Sequence, residues 1–466
     1  MIKTITMKLL KDFRFWIFLF FLIRLFGITD APLEMGHNWR QSLTNMIARN
    51  FFEVSPNIFY PRIDMAGANT GIIGSEFPLL SYLIFLISKV FGYNHWYGRL
   101  INLIVSSVSI YYFYLIVKKY FNQQIAFNSS IILIVSIWFS FSRKIMPDTF
   151  SVSLVIIGLY YCFIYFEKGR FIKLLLFFVF VTTGVLCKIP AIALMSILAI
   201  PLFADYPVGR KIVVLITGSI SFLIISLWYF YWVPYLVDTY HFKLFFPKGL
   251  LEGLIEIVHF PLDTIDKFSF TSFYSYIAFL LFAVGLVMMF IKKQRLLVGI
   301  LTIVSIVFFA FILKTGSVFS LHNYYIIPYT PLMALIAGYG LTLIKVKWQY
   351  IMLLLISIES LANQSYDFRI KNEERYKLSL ENSIDGIIGK HDLIIVNGTH
   401  SPQTMYFLHR KGWSVENKDL LEPGFISART IKGAKYLVID KNRITYSFPF
   451  PLVHEDENIK VYTLKE

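Results

Sequence analysis

The stretch APLEMGHNWRQSLTNMIARNF, which begins at Ala31, concentrates side chains that can do acid–base chemistry in a chain that is otherwise mostly apolar. Glu34 and His37 could each take a proton from a hydroxyl group, and Arg40 could stabilise an anionic leaving group. His37, Arg40, Gln41 and Thr44 have the i, i+3, i+4, i+7 spacing of one helix face. An amphipathic helix at a membrane interface, whose polar face contacts water and has no catalytic role, explains the same pattern and stays open as the alternative.

Two further stretches of the same region, YPRID and GSEFPLL, add candidates. They contribute Arg62, Asp64 and Glu76. Pro78 suits the first turn of a helix, so Glu76 would lie near that helix's N-terminus. The helix dipole favours an anion there, and simple capping therefore explains Glu76 as well as a binding role does.

A second group of candidates lies in SRKIMPDTF and LCKIPAIAL, which supply Arg143, Asp148 and Lys188. Asp148 follows Pro147 and precedes an apolar run, which suits a helix N-terminus. Arg143 and Lys188 lie at the ends of apolar runs, on the side where cations are rare by the topology given below. Cations at that depth suit a lipid-linked phosphate or pyrophosphate.

The composition defines the class of protein. The chain has 466 residues, of which 56% are hydrophobic and 16% charged, and its mean hydropathy is +0.62. These values indicate a polytopic membrane protein. The net charge of +15 comes mainly from short clusters between apolar runs, which indicates topology rather than nucleic-acid binding.

The sequence requires no metal or other cofactor. Cys162 and Cys187 lie within or at the end of apolar runs and form no disulfide framework. No His or Cys cluster has zinc-ligand spacing. A divalent ion held by two carboxylates is compatible with the sequence but is not implied by it.

Apolar runs predict about eleven transmembrane helices. With the N-terminus in the cytoplasm, the basic clusters between these runs all fall on the cytoplasmic side, as the positive-inside rule requires. A further run, 77–92, would reverse that order if it crossed, so it is interpreted as a re-entrant or interfacial helix on the outer face. The predicted spans are 14–29, 98–117, 126–142, 148–166, 172–187, 189–204, 212–232, 273–291, 296–313, 324–344 and 348–363.

This topology puts four connections on the outer face, where they can converge on one site. They are the polar loop 30–76, the turn 142–148, the loop 233–272 and the turn 317–323. The C-terminal tail, from residue 364, is also outside.

The tail, residues 364–466, differs from the transmembrane domain, residues 1–363. ERYKLSLENSIDGIIGK predicts an amphipathic helix, DLIIVNG and AKYLVID predict strands, and SPQTMYFLHRKGW predicts a helix leading into a strand. The pattern predicts a small soluble α/β domain. It holds no glycine-rich phosphate fingerprint, and packing or docking is its expected role.

The order of these motifs resembles the GT-C superfamily of integral membrane glycosyltransferases. HNWRQSLTNMIARNF, EFPLLSYL with VFG, GRL, SRKIMPDTFSVSL, CKIPAIAL and LHNYYIIPYTPLMAL follow one another in that order over residues 14–345. The resemblance is to the bacterial branch related to protein O-mannosyltransferases and the lipid A aminoarabinose transferase. It implies a GT-C-like, all-α polytopic membrane domain with outer-face interfacial helices, followed by the α/β domain.

The resemblance also implies an activity. Members of the superfamily transfer a sugar, with inversion, from a polyprenyl-phosphate carrier to an acceptor. The chain is thus expected to be a hexosyl or pentosyl transferase at the outer face of a bacterial cytoplasmic membrane. Its partners would be the lipid-linked donor, membrane lipid, and a glycan, lipid or protein acceptor, with no nucleic acid.

By the resemblance, Glu34 is the candidate base, because an acidic residue of the family precedes a histidine much as Glu34 precedes His37. The adjacent Asp-Glu pair of the family is absent, which leaves Asp30, Asp64 and Glu76 as rivals. Glu76 also replaces a lysine with which this motif begins in the aminoarabinose transferases.

Asp148 matches the acidic residue that the family has in its second outer loop, and it is a second candidate base. Arg143 and Lys188, joined by Arg40 of the first loop, would hold the phosphate. His322 and Tyr324, at the start of a late span, could line a sugar pocket.

Two other functions stay open. A transporter or flippase of lipid-linked sugars also needs outer basic residues, and it should show a broken helix near the bilayer midplane or repeated halves. A scaffold presenting the tail would leave the polar first loop unexplained.

Overall fold

The computed structural model describes residues 12–242, 247–444 and 446–464. They form two compact units. The helical unit runs to Ile28 and also holds Arg99–Tyr231 and the segment that ends at Asp367. The mixed unit holds Thr29–Gly98, the segment that begins at Trp232, and the chain from Phe368 onward.

The helical unit contains short and long apolar helices. Local signals set several of their ends: Asn122 and Ser275 cap helices through side-chain oxygens, and Pro147 occupies the first position of another helix. The α-helices are Phe13–Arg24, Tyr97–Tyr120, Gln123–Val135, Trp138–Phe141, Pro147–Lys168, Phe171–Cys187, Ile192–Met195, Ala199–Phe203, Val208–Leu227, Leu250–His259, Pro261–Asp266, Tyr276–Ile291, Arg295–Thr315, Val318–Leu321, Thr330–Leu341 and Val346–Gln364. Shorter 3₁₀ turns are Ile189–Ala191, Ser196–Leu198, Asn323–Ile326 and Ser365–Phe368, and π turns are Trp228–Trp232 and Lys267–Thr271.

Within the described residues, four helices are long and apolar enough to cross a membrane by length and composition. They are Tyr97–Tyr120, Pro147–Lys168, Val208–Tyr240 and Arg295–Thr315. A fifth is added if Pro261–Thr271 and Tyr276–Ile291, bent by 98°, count as one span. The number of about eleven spans therefore stays a prediction.

Several predicted spans are not continuous helices. The run 126–142 is interrupted at Ser136, whose backbone is extended. The run 189–204 alternates 3₁₀ and α turns and contains Pro190 and Pro201, which lack the amide hydrogen that a continuous helix needs. Hydropathy detected these segments, but it does not report the breaks within them.

The mixed unit combines helices with a five-stranded sheet. Its α-helices are Asn38–Glu53, Leu79–Phe91, Val233–Tyr240, Leu380–Ile384, Pro402–Leu408, Asn417–Leu421 and Phe425–Ile431, and a 3₁₀ segment covers Asn372–Ser379. The strands are β1 (Leu393–Val396), β2 (Gly412–Ser414), β3 (Ala434–Asp440), β4 (Leu452–Glu455) and β5 (Ile459–Thr463). Their order in the sheet is β2-β1-β3-β5-β4, with β1, β2 and β3 parallel and β5 antiparallel to both neighbours.

The sequence predicted β1, β2 and β3 and missed the β4–β5 hairpin. β1 and β3 are buried apolar runs, as expected for the parallel part of a sheet. β4 is the mostly exposed edge strand LVHE, which carries little apolar signal. The predicted amphipathic helix of the tail is instead a 3₁₀ segment followed by a short α-helix, Leu380–Ile384.

Helix 38–53 lies at the centre of the mixed unit. Every residue from Gln41 to Phe51 is buried. The helix packs against helix 79–91 and against helix 402–408 of the tail. An amphipathic helix at a membrane interface would expose its polar face to water. Helix 38–53 is buried on all sides from Gln41 to Phe51, so the interfacial-helix alternative is wrong. The run 77–92 belongs to this unit as helix 79–91.

Candidate active site

Asp148 and Lys188 meet because the two helices that carry them are antiparallel neighbours. Asp148 lies in the first turn of helix 147–168, where the helix dipole favours a carboxylate. Lys188 follows the last residue of helix 171–187 and has an extended backbone. Asp148 Oδ1 is 3.7 Å from Lys188 Nζ.

Small residues let these two helices approach closely. A Cβ added to Gly158 would meet Val181 Cγ2 at 2.5 Å, and one added to Gly184 would meet the Ser151 carbonyl at 2.9 Å. The Ser151 hydroxyl also donates to the Gly184 carbonyl at 2.6 Å. Close helix packing through small residues is common among membrane helices. Here it holds the Asp148 and Lys188 ends together.

Asp148 retains an oxygen that no described residue satisfies. The residue is 3% exposed, and its Oδ2 is buried without a hydrogen-bond partner. Leaving a buried acceptor unsatisfied costs roughly 1–3 kcal/mol. An oxygen in that state can accept a hydrogen bond or a proton from a ligand hydroxyl.

Aromatic rings complete this group. Lys188 Nζ lies 5.7 Å from the centroid of Tyr324 and 5.9 Å from that of Tyr325. The His322 ring stacks on Tyr324 with centroids 5.1 Å apart. The structure thus brings together four of the sequence-predicted residues, Asp148, Lys188, His322 and Tyr324. A carboxylate, a cation and rings in one place suit a ligand with both hydroxyl groups and negative charge.

Asn102, which sequence reasoning missed, holds the turn that leads to Asp148. Its Nδ2, which has two hydrogens to donate, lies 3.1, 2.9 and 3.3 Å from the carbonyl oxygens of Phe141, Lys144 and Met146. It also lies 3.1 Å from Thr149 Oγ1. Burying the polar side chain of an asparagine inside an apolar run costs free energy unless it has hydrogen-bond partners. The position of Asn102 within the run 98–117 is therefore a sequence signal for such partners.

Arg143 is directed at backbone oxygens. Its Nη1 and Nη2 donate to the carbonyls of Phe26 and Gly27 at 2.6 and 2.8 Å. Arg24, which sequence analysis did not single out, donates from Nη1 to the Ser142 hydroxyl at 2.6 Å. These contacts fasten the turn to the end of the first helix, and the phosphate-binding role of Arg143 stays a prediction.

In the mixed unit, Glu34 and His37 lie just before helix 38–53. Glu34 is 2% exposed, and Gln41 Nε2 is 3.4 Å from its Oε2. His37 caps the helix with φ 59° and ψ 35°, a left-handed conformation that is uncommon for residues other than glycine. His37 therefore precedes the helix, and the prediction that it continues the helical face of Arg40 and Thr44 is wrong.

The other acidic and basic candidates of this unit are ion-paired or lie in irregular structure. Arg40 forms an ion pair with Glu76. Asp64 accepts hydrogen bonds from Arg49 at 2.9 Å and Asn50 at 2.8 Å.

Arg62 forms an isolated β-bridge with Ile72. Arg49 also donates to the Tyr406 carbonyl at 2.9 Å and lies 4.7 Å from the centroid of that ring. Burial raises the pKa of the Tyr406 hydroxyl to about 12, so it is neutral at physiological pH.

No cluster of three or more His, Cys, Asp or Glu residues in the described part of the chain could hold a metal ion. Cys162 and Cys187 are buried, and neither forms a disulfide with a described residue.

An apolar cavity of about 220 Å³ lies deeper in the helical unit. Helix 147–168 contributes Ile156, Leu159 and Phe163 to its wall. Ile156 lies eight residues beyond Asp148 on that helix, which corresponds to a rise of about 12 Å. The other lining residues are Phe113, Ile116, Val117, Tyr120, Phe121, Leu194, Ile197, Ile200, Pro201, Ala204, Tyr206, Leu296, Ile300, Pro331, Leu332 and Leu335.

Comparison with known families gives one match. The sequence profile described as Dolichyl-phosphate-mannose-protein mannosyltransferase matches residues 75–232. No curated protein sequence matches the chain.

Solved structures share the fold across nearly the whole chain. The apo structure of ArnT from Cupriavidus metallidurans has a TM-score of 0.61 at 12% identity and covers 96% of this chain and 97% of that one. ArnT bound to undecaprenyl phosphate has a TM-score of 0.60 at 12% identity, with 96% and 98% covered. The oligosaccharyltransferase AglB from Archaeoglobus fulgidus, in complex with an inhibitory peptide and a dolichol-phosphate, has a TM-score of 0.57 at 11% identity, with 92% and 69% covered.

ArnT and AglB are GT-C glycosyltransferases, and these findings confirm the resemblance to that superfamily, on the side of the O-mannosyltransferases and ArnT. The fold, together with the apolar helices, is that of a multi-pass membrane protein.

Proposed function

From the fold that this chain shares with GT-C glycosyltransferases, we propose that it transfers a sugar from a polyprenyl-phosphate carrier to an acceptor hydroxyl. The reaction takes place at the outer face of the bacterial cytoplasmic membrane, with the C-terminal domain on the same side. One observation carries the proposal: Asp148 Oδ2 is buried and has no hydrogen-bond partner among the described residues, while Oδ1 of the same carboxylate lies beside the ammonium group of Lys188.

The chemistry needs a proton acceptor and a stabilised leaving group. The acceptor oxygen forms a bond to the anomeric carbon as the bond from that carbon to the phosphate oxygen breaks, which inverts the anomeric configuration. The proton of the acceptor hydroxyl passes to a carboxylate, for which Asp148 is the first candidate and Glu34 the second. The carrier leaves as polyprenyl phosphate, whose negative charge Lys188 stabilises.

Two further observations support a lipid-linked donor. The apolar cavity is lined by helix 147–168, whose first turn carries Asp148, so it suits part of a hydrocarbon chain whose phosphate lies near Lys188. The ArnT structure of the same fold contains undecaprenyl phosphate. Arg40, Arg62, Asp64 and Glu76 belong to the mixed unit, and their role in substrate binding stays a prediction.

The transferred group is a hexose or pentose, and the acceptor is a glycan, a lipid or a protein. These assignments follow the mannosyltransferase profile and the resemblance of the motif order to that of the aminoarabinose transferases.

A transporter of lipid-linked sugars is the second candidate, and one observation favours it. The segment Ile189–Phe203, directly after Lys188, is a broken apolar helix, and discontinuous helices mark many transport sites. Sugar transfer to a hydroxyl group requires a proton acceptor such as Asp148, whereas transport of a lipid-linked sugar does not require one.

The test uses purified protein, undecaprenyl-phosphate-linked radiolabelled hexoses and pentoses, and acceptors of the three classes. Asp148→Asn keeps the shape of the side chain but cannot take up the proton, so transfer is expected to fall about 10²- to 10⁴-fold with donor binding retained. Glu34→Gln is measured in parallel. Glu359→Gln is the matched control, because Glu359 caps helix 276–291 and its amide can still accept from the Tyr276 amide.

Loss of transfer in Glu34→Gln alone would assign the role of base to Glu34 of the mixed unit instead of Asp148. Full transfer in both variants would remove both carboxylates from the mechanism. Movement of the labelled lipid across proteoliposomes without any product would establish the transporter instead.

A further inference from the structure

Three hydrogen bonds within the mixed unit connect the segment 32–39, here called the Glu34 loop, to the C-terminal domain. Two of them use backbone atoms of that domain and one uses a side chain. They run from the Met35 amide to the Arg369 carbonyl at 3.0 Å, from Trp39 Nε1 to the His400 carbonyl at 3.0 Å, and from Gln403 Nε2 to the Pro32 carbonyl at 3.1 Å.

Gln403 of the C-terminal domain contacts the Glu34 loop through its side chain. It is buried in helix 402–408, and its Oε1 accepts from Lys377 Nζ at 2.8 Å. Lys377 is itself buried and ion-paired with Glu374. An ammonium group can only donate and a carbonyl can only accept, so a single orientation of the amide serves both Lys377 and Pro32.

The position of Pro32 makes this contact relevant to chemistry. Pro32, which accepts the hydrogen bond from Gln403, lies two residues before Glu34. Met35, which donates to the Arg369 carbonyl, directly follows Glu34. The loop has no regular structure of its own before helix 38–53 begins. Gln41 contacts the middle of the loop at Glu34 Oε2 and at the Gly36 carbonyl, and the three bonds to the C-terminal domain hold the loop at Pro32, Met35 and Trp39.

We infer that Gln403 is a positioning residue that holds the Glu34 loop in its working geometry, which makes the C-terminal domain a working part of the enzyme. This inference rests on the proposed function and on Glu34, its second candidate base, taking part in the transfer. It differs from a docking role, because a docking domain could be loosened without changing the rate of transfer.

The decisive variant is Gln403→Glu. Its carboxylate still accepts from Lys377, so the interior of the C-terminal domain keeps its contact, but it has no hydrogen to donate to Pro32. Gln403→Met is the second variant, in case the new charge disturbs folding. Arg410→Lys is the matched control, because Arg410 contacts Asp385 and the Ile388 carbonyl inside the same domain.

Two measurements are made on the full-length protein in detergent. Hydrogen–deuterium exchange at the Met35 amide is expected to speed up in both Gln403 variants and to stay unchanged in Arg410→Lys. The kcat for sugar transfer is expected to fall about 10- to 100-fold, since small displacements of catalytic groups have effects of that size. The KM for the donor should stay within about twofold of wild type, where loss of the phosphate contacts would raise it.

Unchanged exchange at Met35 in the Gln403 variants would overturn the inference, because the loop would then not depend on this contact. Faster exchange with an unaltered kcat would overturn the positioning role and leave only a structural one. If wild-type protein transfers no sugar, the proposed function fails and the positioning role fails with it. Transfer that is lost in Asp148→Asn but kept in both Gln403 variants would sink this inference alone.

Discussion

Several acidic side chains compete for the role of base, and their partners separate them. Asp64 accepts hydrogen bonds at both of its carboxylate oxygens, from Arg49 and Asn50, and Glu76 is ion-paired with Arg40. Asp148 keeps one oxygen without a partner among the described residues. The contacts therefore favour Asp148 over Asp64 and Glu76, while Glu34 and Asp30 stay rivals.

Lys188 is expected to bind the donor phosphate. Lys188→Ala should raise the KM for the lipid-linked donor about tenfold or more, because a hydrogen bond to a charged group contributes roughly 1.5–3 kcal/mol. Saturation kinetics with the purified enzyme would measure this.

The matched control is Arg210→Ala, since Arg210 is a cation whose contacts are the backbone carbonyls of Phe166 and Glu167. Its donor KM should stay near the wild-type value. An unchanged donor KM in Lys188→Ala would remove that residue from the phosphate site.

At the scale of elements, helices 147–168 and 171–187 form the support of the candidate site. One presents its N-terminal turn with Asp148, and the other ends at Lys188. Their contact depends on Gly158 and Gly184, where any side chain would press on the facing helix. Two residues forty positions apart thereby come within 3.7 Å of each other at Oδ1 and Nζ.

Gly184→Leu is expected to separate these helices and to lower sugar transfer at least about tenfold, because a displacement of about 1 Å can cost 10²-fold in rate. Its thermal midpoint should fall as well, since overpacking typically costs 1–3 kcal/mol. Gly218→Leu is the control: Gly218 lies within helix 208–227, and an added Cβ there meets no atom within 4 Å.

Transfer rates and melting curves of the two variants decide the matter. Equal activity in both would mean that the helix contact does not set the geometry of the site.

At the scale of the whole molecule, each of the two units is built from separate stretches of the sequence. The mixed unit takes its residues from three stretches of the chain. Its core joins residues such as Leu43, Met46 and Phe51 of the first loop with Ile394 and Met405 of the tail. The domain division expected from the sequence, 1–363 and 364–466, stays a prediction, and these contacts show that the tail does not pack by itself.

The expected topology puts the C-terminal domain outside the cell and the loop at Lys293 inside it. Both native cysteines are buried, so single cysteines can be added on that background. Lys432 and Lys293 are both exposed. A membrane-impermeant maleimide should label Lys432→Cys in intact cells and Lys293→Cys only after permeabilisation. The reverse pattern would contradict the topology and the outer-face location of the reaction.

The sequence by itself determined the features that depend on local composition. Hydropathy identified the membrane class, Pro147 marked the helix start beside Asp148, and the apolar runs of β1 and β3 identified the sheet. Motif order was enough to indicate the superfamily. These signals can be read within a few residues of chain, because helix ends and strand burial follow from neighbouring side chains.

The tertiary structure decided which of these residues meet. It brought Lys188 and Tyr324 to Asp148, directed Arg143 to backbone carbonyls, and enclosed helix 38–53 within the unit that contains the tail. Such pairings depend on helix packing and on contacts between distant parts of the chain, which no local pattern encodes. The β4–β5 hairpin and the role of Asn102 were missed for the same reason. An exposed edge strand and a single buried amide can be recognised only when the residues that they pair with are known.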